Sequence, residues 1–143
     1  MLAALVTHQQ LWKKAVSTAL DKKGMDLHDF YGIRDFLNNL EKQQCNYDCF
    51  FIDSSLDEYN GLEFCRYLSG KSTWYEKDLV KSFFNDDVAR SSHIIDQYGE
   101  IPRIVLVMAM PNVYYRFLQS QGICKAFVVS PIFSESIKDA LNL

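Results

Sequence analysis

The stretch Tyr47-Asp48-Cys49-Phe50-Phe51-Ile52-Asp53-Ser54-Ser55-Leu56-Asp57-Glu58-Tyr59-Asn60-Gly61-Leu62-Glu63 decides the fold. Cys49 to Ile52 is an unbroken apolar run, the pattern of a strand buried on both faces. It stops at Asp53-Ser54-Ser55, which puts a carboxylate at the carboxyl end of a buried strand, where open α/β sheets hold their ligands. A turn through Asn60-Gly61 follows, and Leu62 to Leu68 reads as a helix.

Outward from this segment, short apolar runs alternate with helical spacing. Leu2 to Val6 is a second unbroken run. After it Leu11, Ala15 and Ala19 repeat at four-residue spacing with Trp12, Val16 and Leu20 beside them, a broad apolar helical face that stops at Lys22-Lys23-Gly24. Asp26 to Phe30 reads as a more polar strand, and Ile33, Phe36, Leu37 and Leu40 as an amphipathic helix. Downstream, Ile104 to Val107 is a strand introduced by Pro102. Val113, Phe117 and Leu118 make a helix closed by Gly122. Ala126 to Val129 is a strand stopped by Pro131, and Ile137, Ala140 and Leu141 form a last helix with Ser134 as its N-cap. Five strands alternating with five helices predict a parallel sheet covered on both faces.

Ser69 to Gly99 is longer than an ordinary helix-to-strand connection and carries an extra element. Tyr75, Leu79 and Phe83, with Val80 and Phe84, repeat at helical spacing, and Val88, Ile94, Ile95 and Tyr98 extend that pattern or begin another. So much apolar content reads as packed structure, either a helix on the core or a docking surface.

The 143 residues are 48% hydrophobic and 23% charged, which fits one globular domain spanning 1–143. Fifteen basic against 18 acidic residues, with no block of either sign, exclude the electrostatic footprint of direct nucleic-acid binding. No apolar run approaches the roughly 20 residues of a membrane span, and Met1 to Val6 has neither the length nor the basic leader of a signal peptide. A cytoplasmic protein is expected. Cys45, Cys49, Cys65 and Cys124 form no Cys-x-x-Cys pair and read as free thiols, and His8, His28 and His93 are scattered. There is no Gly-x-Gly-x-x-Gly, Walker lysine loop, Gly-x-Ser-x-Gly or His-Glu-x-x-His. An enzyme is not expected.

The segment from Tyr47 to Glu63 resembles the centre of response-regulator receiver domains, in which the strand ends in the phosphate-accepting aspartate. Asp53 falls on that aspartate. Ile101 to Val107 resembles the family's fourth strand with its leading proline, and Gly122 to Pro131 its fifth strand with its closing proline, Pro131. The resemblance covers nearly the whole chain outside 69–99. It implies the flavodoxin-like (CheY-like) doubly wound five-stranded sheet, order 2-1-3-4-5, with a helical insertion between the third helix and fourth strand.

It also implies a pocket that this sequence does not complete. The two acidic residues that hold Mg²⁺ after the first strand fall on Thr7 and His8, the switch hydroxyl on Val107, and the lysine on Ser130. Four of five pocket positions thus differ, in three separate segments. A threonine hydroxyl and an imidazole are poor Mg²⁺ ligands, so neither a bound metal nor any other cofactor is expected. Charge-assisted hydrogen bonds contribute about 1.5–3 kcal/mol each, and losing two of them with the metal removes several powers of ten of phosphoryl stabilisation.

The expectation is a degenerate receiver, a pseudo-receiver, acting as a phosphorylation-independent interaction module at the amino terminus of a larger regulator. The chain's end just after its last helix suits an excised domain of that kind, with the output domain elsewhere. Phe127 matches the family's switch aromatic. The face of the fourth helix, fifth strand and fifth helix, Val113 to Leu141, is the expected homodimer surface, with Tyr114 and Tyr115 as anchors. Two alternatives stand beside this one: Asp53 as phosphoacceptor in an unconventional phosphorelay, and a small-molecule sensor in which His8, Asp53 and Ser130 converge. His8 beside Asp53 is also the one acid/base pair in view.

Overall fold

The computed structural model describes residues 1–43, 47–56, 103–110, 116, 119, 120, 122 and 124–142. The expected extra element at 69–99, the helix at 62–68, and Tyr114 and Tyr115 lie outside them.

The described elements are β1 (Leu2–Val6), α1 (Gln10–Asp21), β2 (Asp26–Phe30), α2 (Ile33–Gln43), β3 (Cys49–Asp53), β4 (Arg103–Met108), β5 (Ala126–Val129) and the C-terminal helix α3 (Ser134–Asn142). The strands form one parallel sheet in the order β2-β1-β3-β4-β5. This is the flavodoxin-like order expected from the resemblance. β3 and β4 each run one residue or more beyond the apolar runs that announce them, because pairing with a neighbour, not side-chain polarity, ends a strand. Asp53 still pairs with Val107.

Side-chain alternation divides the core. Ala3, Leu5, Cys49, Phe51, Val105, Val107, Ala126 and Val128 face α1 and α3, meeting Trp12, Val16, Ala19, Leu20, Ile137 and Ala140. The opposite face carries Phe50, whose ring lies edge-on to Phe36 of α2 at 5.2 Å and tilted to Tyr47 at 5.9 Å. Such aromatic pairs contribute about 0.5–1.5 kcal/mol beyond area burial.

The α1 stripe departs from expectation at Leu11, which is 81% exposed. Trp12, Val16, Ala19 and Leu20 fill one face, and Leu11 lies about 100° around the helix from Trp12, on the side away from their centre. The helix does stop at Gly24, which adopts φ +69°. Met25 N–H donates to the Leu20 carbonyl at 3.0 Å and Gly24 N–H to Asp21 at 3.1 Å, the Schellman pattern, with Leu20 and Met25 both buried. Gly122 repeats the left-handed stop, its N–H donating to Gln119, and Arg116, Gln119 and Ser120 are helical before it. Ser134 is the first residue of α3 and not its N-cap: the Phe133 carbonyl accepts from Ile137 N–H, so the cap position is Phe133.

Among the described residues no helix is long and apolar enough to cross a membrane. Cys49 and Cys124 are buried free thiols. Burial pushes Cys49 up to about 12 and Cys124 up to about 11 from the ordinary value of 9.0, with Arg103 partly opposing the shift at Cys49. A thiol raised in the folded state stabilises the fold below the unfolded pKa and loses that contribution as pH rises through the folded one. Pulse alkylation at pH 8 with peptide mapping is therefore expected to leave Cys49 and Cys124 unlabelled in the native protein and label both in urea. Urea midpoints are expected to fall from pH 9 upward. Fast native labelling of either thiol would contradict this.

Candidate functional site

Strand register brings the candidate positions to one end of the sheet. Val6 pairs with Ile52, Asp53 with Val107, and Val107 with Val128. Thr7, one residue past β1, Asp53 and Val107 therefore stand in one row. By the alternation that sends Leu5, Phe51 and Val105 toward α1 and α3, these residues continue the same face. Ser130 is one step beyond β5, held by its N–H to the Met108 carbonyl at 2.8 Å.

Thr7 and Asp53 are the buried polar residues of the described chain, 6% and 1% exposed. A carboxylate at this depth requires hydrogen-bond donors. Thr7 Oγ1 donates to Asp53 Oδ2 at 2.7 Å. Ser55 supplies the other oxygen twice: its backbone N–H and its hydroxyl both donate to Asp53 Oδ1, each at 2.9 Å. Among the described residues, those three donors are the whole of the carboxylate's hydrogen bonding. All three are neutral.

The Thr7 hydroxyl is itself fixed. Gln9 N–H donates to Thr7 Oγ1 at 3.0 Å, a local turn at the entry to α1, and Thr7 N–H continues the ladder to the Phe30 carbonyl at 3.1 Å. One hydroxyl thus joins β1, β3 and the start of α1. Ser54 N–H donates to the Val107 carbonyl at 2.9 Å, which prolongs the β3–β4 pairing past Asp53.

The remaining positions make no hydrogen bond to the carboxylate, and Phe127, paired with Leu106, lies on the opposite face of the sheet. Val107 is fully buried beside Asp53 and its side chain offers no polar atom. His8 is half-buried with its ring 4.3 Å from that of Tyr31, tilted 40°. Ser130 is half-buried and Pro131 exposed, joined by a cis peptide bond. Phe127 is half-buried on β5, an edge strand. Two contributors escaped the sequence reading. Ser55 was signalled by Asp53-Ser54-Ser55, whose Asx-turn spacing turns the second residue's N–H back to the carboxylate. Tyr31 carries no such signal, because only the β1–β2 pairing places it over His8.

No protein-family model and no curated protein matches the sequence. Solved structures do match. The Vibrio cholerae chemotaxis protein CheY4 is 15% identical, with 99% of this chain and 95% of that one covered at a TM-score of 0.68. A two-component response regulator from Clostridium difficile is 12% identical over 99% of this chain and 96% of its own, TM-score 0.66. A Burkholderia pseudomallei response regulator, solved with a phosphorylated aspartic acid, calcium ion and citrate, is 11% identical over 98% of this chain and 65% of its own, TM-score 0.65. With the strand order, these similarities define the class: the chain has the CheY-like fold of response-regulator receiver domains.

Thr7→Val keeps the shape of the residue and removes the donor to a buried carboxylate, which is expected to cost about 1–3 kcal/mol. A double-mutant cycle in urea with Asp53→Ala is expected to show coupling near or above about 1 kcal/mol. Additive losses would contradict the shared hydrogen bond.

Proposed function

We propose that this chain is a pseudo-receiver, a signalling module that passes on its state through protein contacts and not through phosphorylation of Asp53. The observation that carries the reading is the 2.7 Å hydrogen bond from Thr7 to Asp53. At the position where the family's receivers offer a carboxylate to Mg²⁺, this chain has a hydroxyl whose proton points at the aspartate and whose oxygen already accepts from Gln9 N–H.

The donor set does not fit the metal. Mg²⁺ takes hard oxygen ligands in near-octahedral geometry, generally with one or two carboxylates and several waters. Here one carboxylate stands at the site among the described residues, with both oxygens engaged, and the imidazole of His8 lies tilted against a tyrosine ring. Without a divalent cation or the lysine that Ser130 replaces, an incoming phosphoryl group meets a buried anion whose described hydrogen-bond partners are all neutral. Val107 cannot hydrogen-bond it either. We therefore assign no turnover chemistry and no resident cofactor to the chain, and place it in the cytoplasm as the regulatory part of a larger protein.

Interaction through a second copy is the mode we favour. β5 is an edge strand with Phe127 and Val129 half-buried, and Phe133, at the cap of α3, is 62% exposed. Apolar and aromatic side chains of this kind form the centres of protein interfaces. Sedimentation velocity is expected to show dimers that Phe133→Asp dissociates. A strict monomer at high concentration would refute that surface.

The phosphorylation question has its own test. Incubation with acetyl phosphate and Mg²⁺ is expected to leave the protein unmodified by mass spectrometry, and beryllofluoride to leave its amide spectrum unchanged. Stoichiometric modification that Asp53→Ala abolishes would replace this reading with the unconventional phosphoacceptor. A Thr7→Asp variant should be destabilised and then partly rescued by Mg²⁺, because it rebuilds a paired-carboxylate site.

A further inference from the structure

The inner strands β1, β3 and β4 and the edge strand β5 contain two charged residues, at opposite ends of the sheet. Asp53 closes β3 and is saturated with donors. Arg103 opens β4, in register with the buried Cys49 of β3, and makes one hydrogen bond among the described residues. Around it is a cavity of about 470 Å³, within the 300–1,000 Å³ range of small-molecule sites.

The floor of this cavity is the core itself. Met25 and Cys49 are 6% and 2% exposed members of the cluster beneath α1 and α3, and Leu141 packs against it. The wall carries two cationic side chains, Lys23 from the turn after α1 and Arg103. Arg103 Nη1 donates to the Leu141 carbonyl, and among the described residues the guanidinium has no other hydrogen bond and no ion pair. Lys23 has no side-chain partner there at all. Asp48 is the one carboxylate among the described lining residues, and it turns Oδ2 to Leu2 N–H at 2.8 Å instead of to either cationic side chain. The C-terminal carbonyls of the two helices that point here are already engaged: those of Leu20 and Asp21 by the Gly24 turn, and that of Leu141 by Arg103.

An apolar floor, two cations with unspent donors and a carboxylate committed elsewhere describe a receptor for one kind of molecule. We propose that this cavity, at the amino end of the sheet and away from Asp53, binds a small amphipathic carboxylate, its head between Lys23 and Arg103 and its apolar body over Met25, Cys49 and Leu141. Arg103 and Lys23 are binding residues in this assignment. The site stands whether or not Asp53 is ever modified, since the two lie at opposite ends of the strands.

The test uses decanoate as probe, with decanol (the tail without the charge) and acetate (the charge without the tail), each titrated into the full chain and followed by amide spectra. Decanoate is expected to bind saturably with a dissociation constant below about 1 mM, shifting the amides of Met25, Cys49 and Leu141. Decanol should bind at least about tenfold more weakly, the equivalent of one charge-assisted hydrogen bond, and acetate should cause no saturable shift. Lys23→Glu, on an exposed side chain that folding does not require, is expected to weaken decanoate about tenfold or more, with Arg103→Met as a second variant. Lys13→Met, which touches only the separate Lys13–Asp29 ion pair, should have no effect. Absence of saturable binding, equal affinity for decanol, perturbations confined to the Asp53 end, or a Lys23→Glu variant that binds like the wild type would each overturn the proposal.

Discussion

The carboxylate of Asp53 lies at the end of a strand whose other residues are all apolar, and it is almost completely withdrawn from water. Burying such a group without partners costs several kcal/mol, so the surrounding chain must bring donors to it. Two come from the turn that immediately follows. The third comes from Thr7, 46 residues earlier, and only because β1 pairs with β3 in one particular register. That hydroxyl in turn receives Gln9 N–H, so the entry angle of α1 is tied to the same point. A shift of one residue in the β1–β3 register would turn Thr7 to the opposite face and leave the carboxylate one donor short.

This arrangement gives the carboxyl end of the sheet a settled character. The Asp53 carboxylate is matched there by neutral donors, and an apolar valine stands in the same row. The opposite end is unlike it. There Arg103 and Lys23 border an opening onto the core without an ion pair among the described residues, while Asp48 is occupied by the backbone of β1. In a parallel sheet the two ends differ by construction, since helix amino termini gather at one and helix carboxyl termini at the other. Here the carboxyl termini are closed by a glycine turn and by one donor of Arg103, whose other guanidinium donors make no hydrogen bond among the described residues.

Much of the architecture was legible from local pattern. The strands Leu2–Val6, Asp26–Phe30 and Ala126–Val129 have the limits their residues announce, and even the polar β2 was readable between its flanking turn and helix. The misses have physical reasons. Leu11 was assigned to the buried face because four-residue spacing alone does not fix where a helical stripe is centred. That depends on which side the sheet lies, and Trp12 and Val16 take it. Ser134 had the chemistry of an N-cap, yet the carbonyl that accepts the first helical bond belongs to Phe133.

For the site, the sequence by itself named candidate positions but not Ser55: an aspartate at the end of a buried strand, a threonine and a histidine after the first strand, a valine and a serine where hydroxyl and lysine would complete a receiver pocket. Those identities are fixed by covalent order and by a strand periodicity that folding has to respect. Only the tertiary structure decided how they are used. Hydrogen bonds extend about 3 Å, and no local rule brings Thr7 to Asp53, sets Tyr31 against His8, or turns Arg103 to the Leu141 carbonyl. Those outcomes rest on which strands lie side by side and in what register, which is settled when the whole core packs.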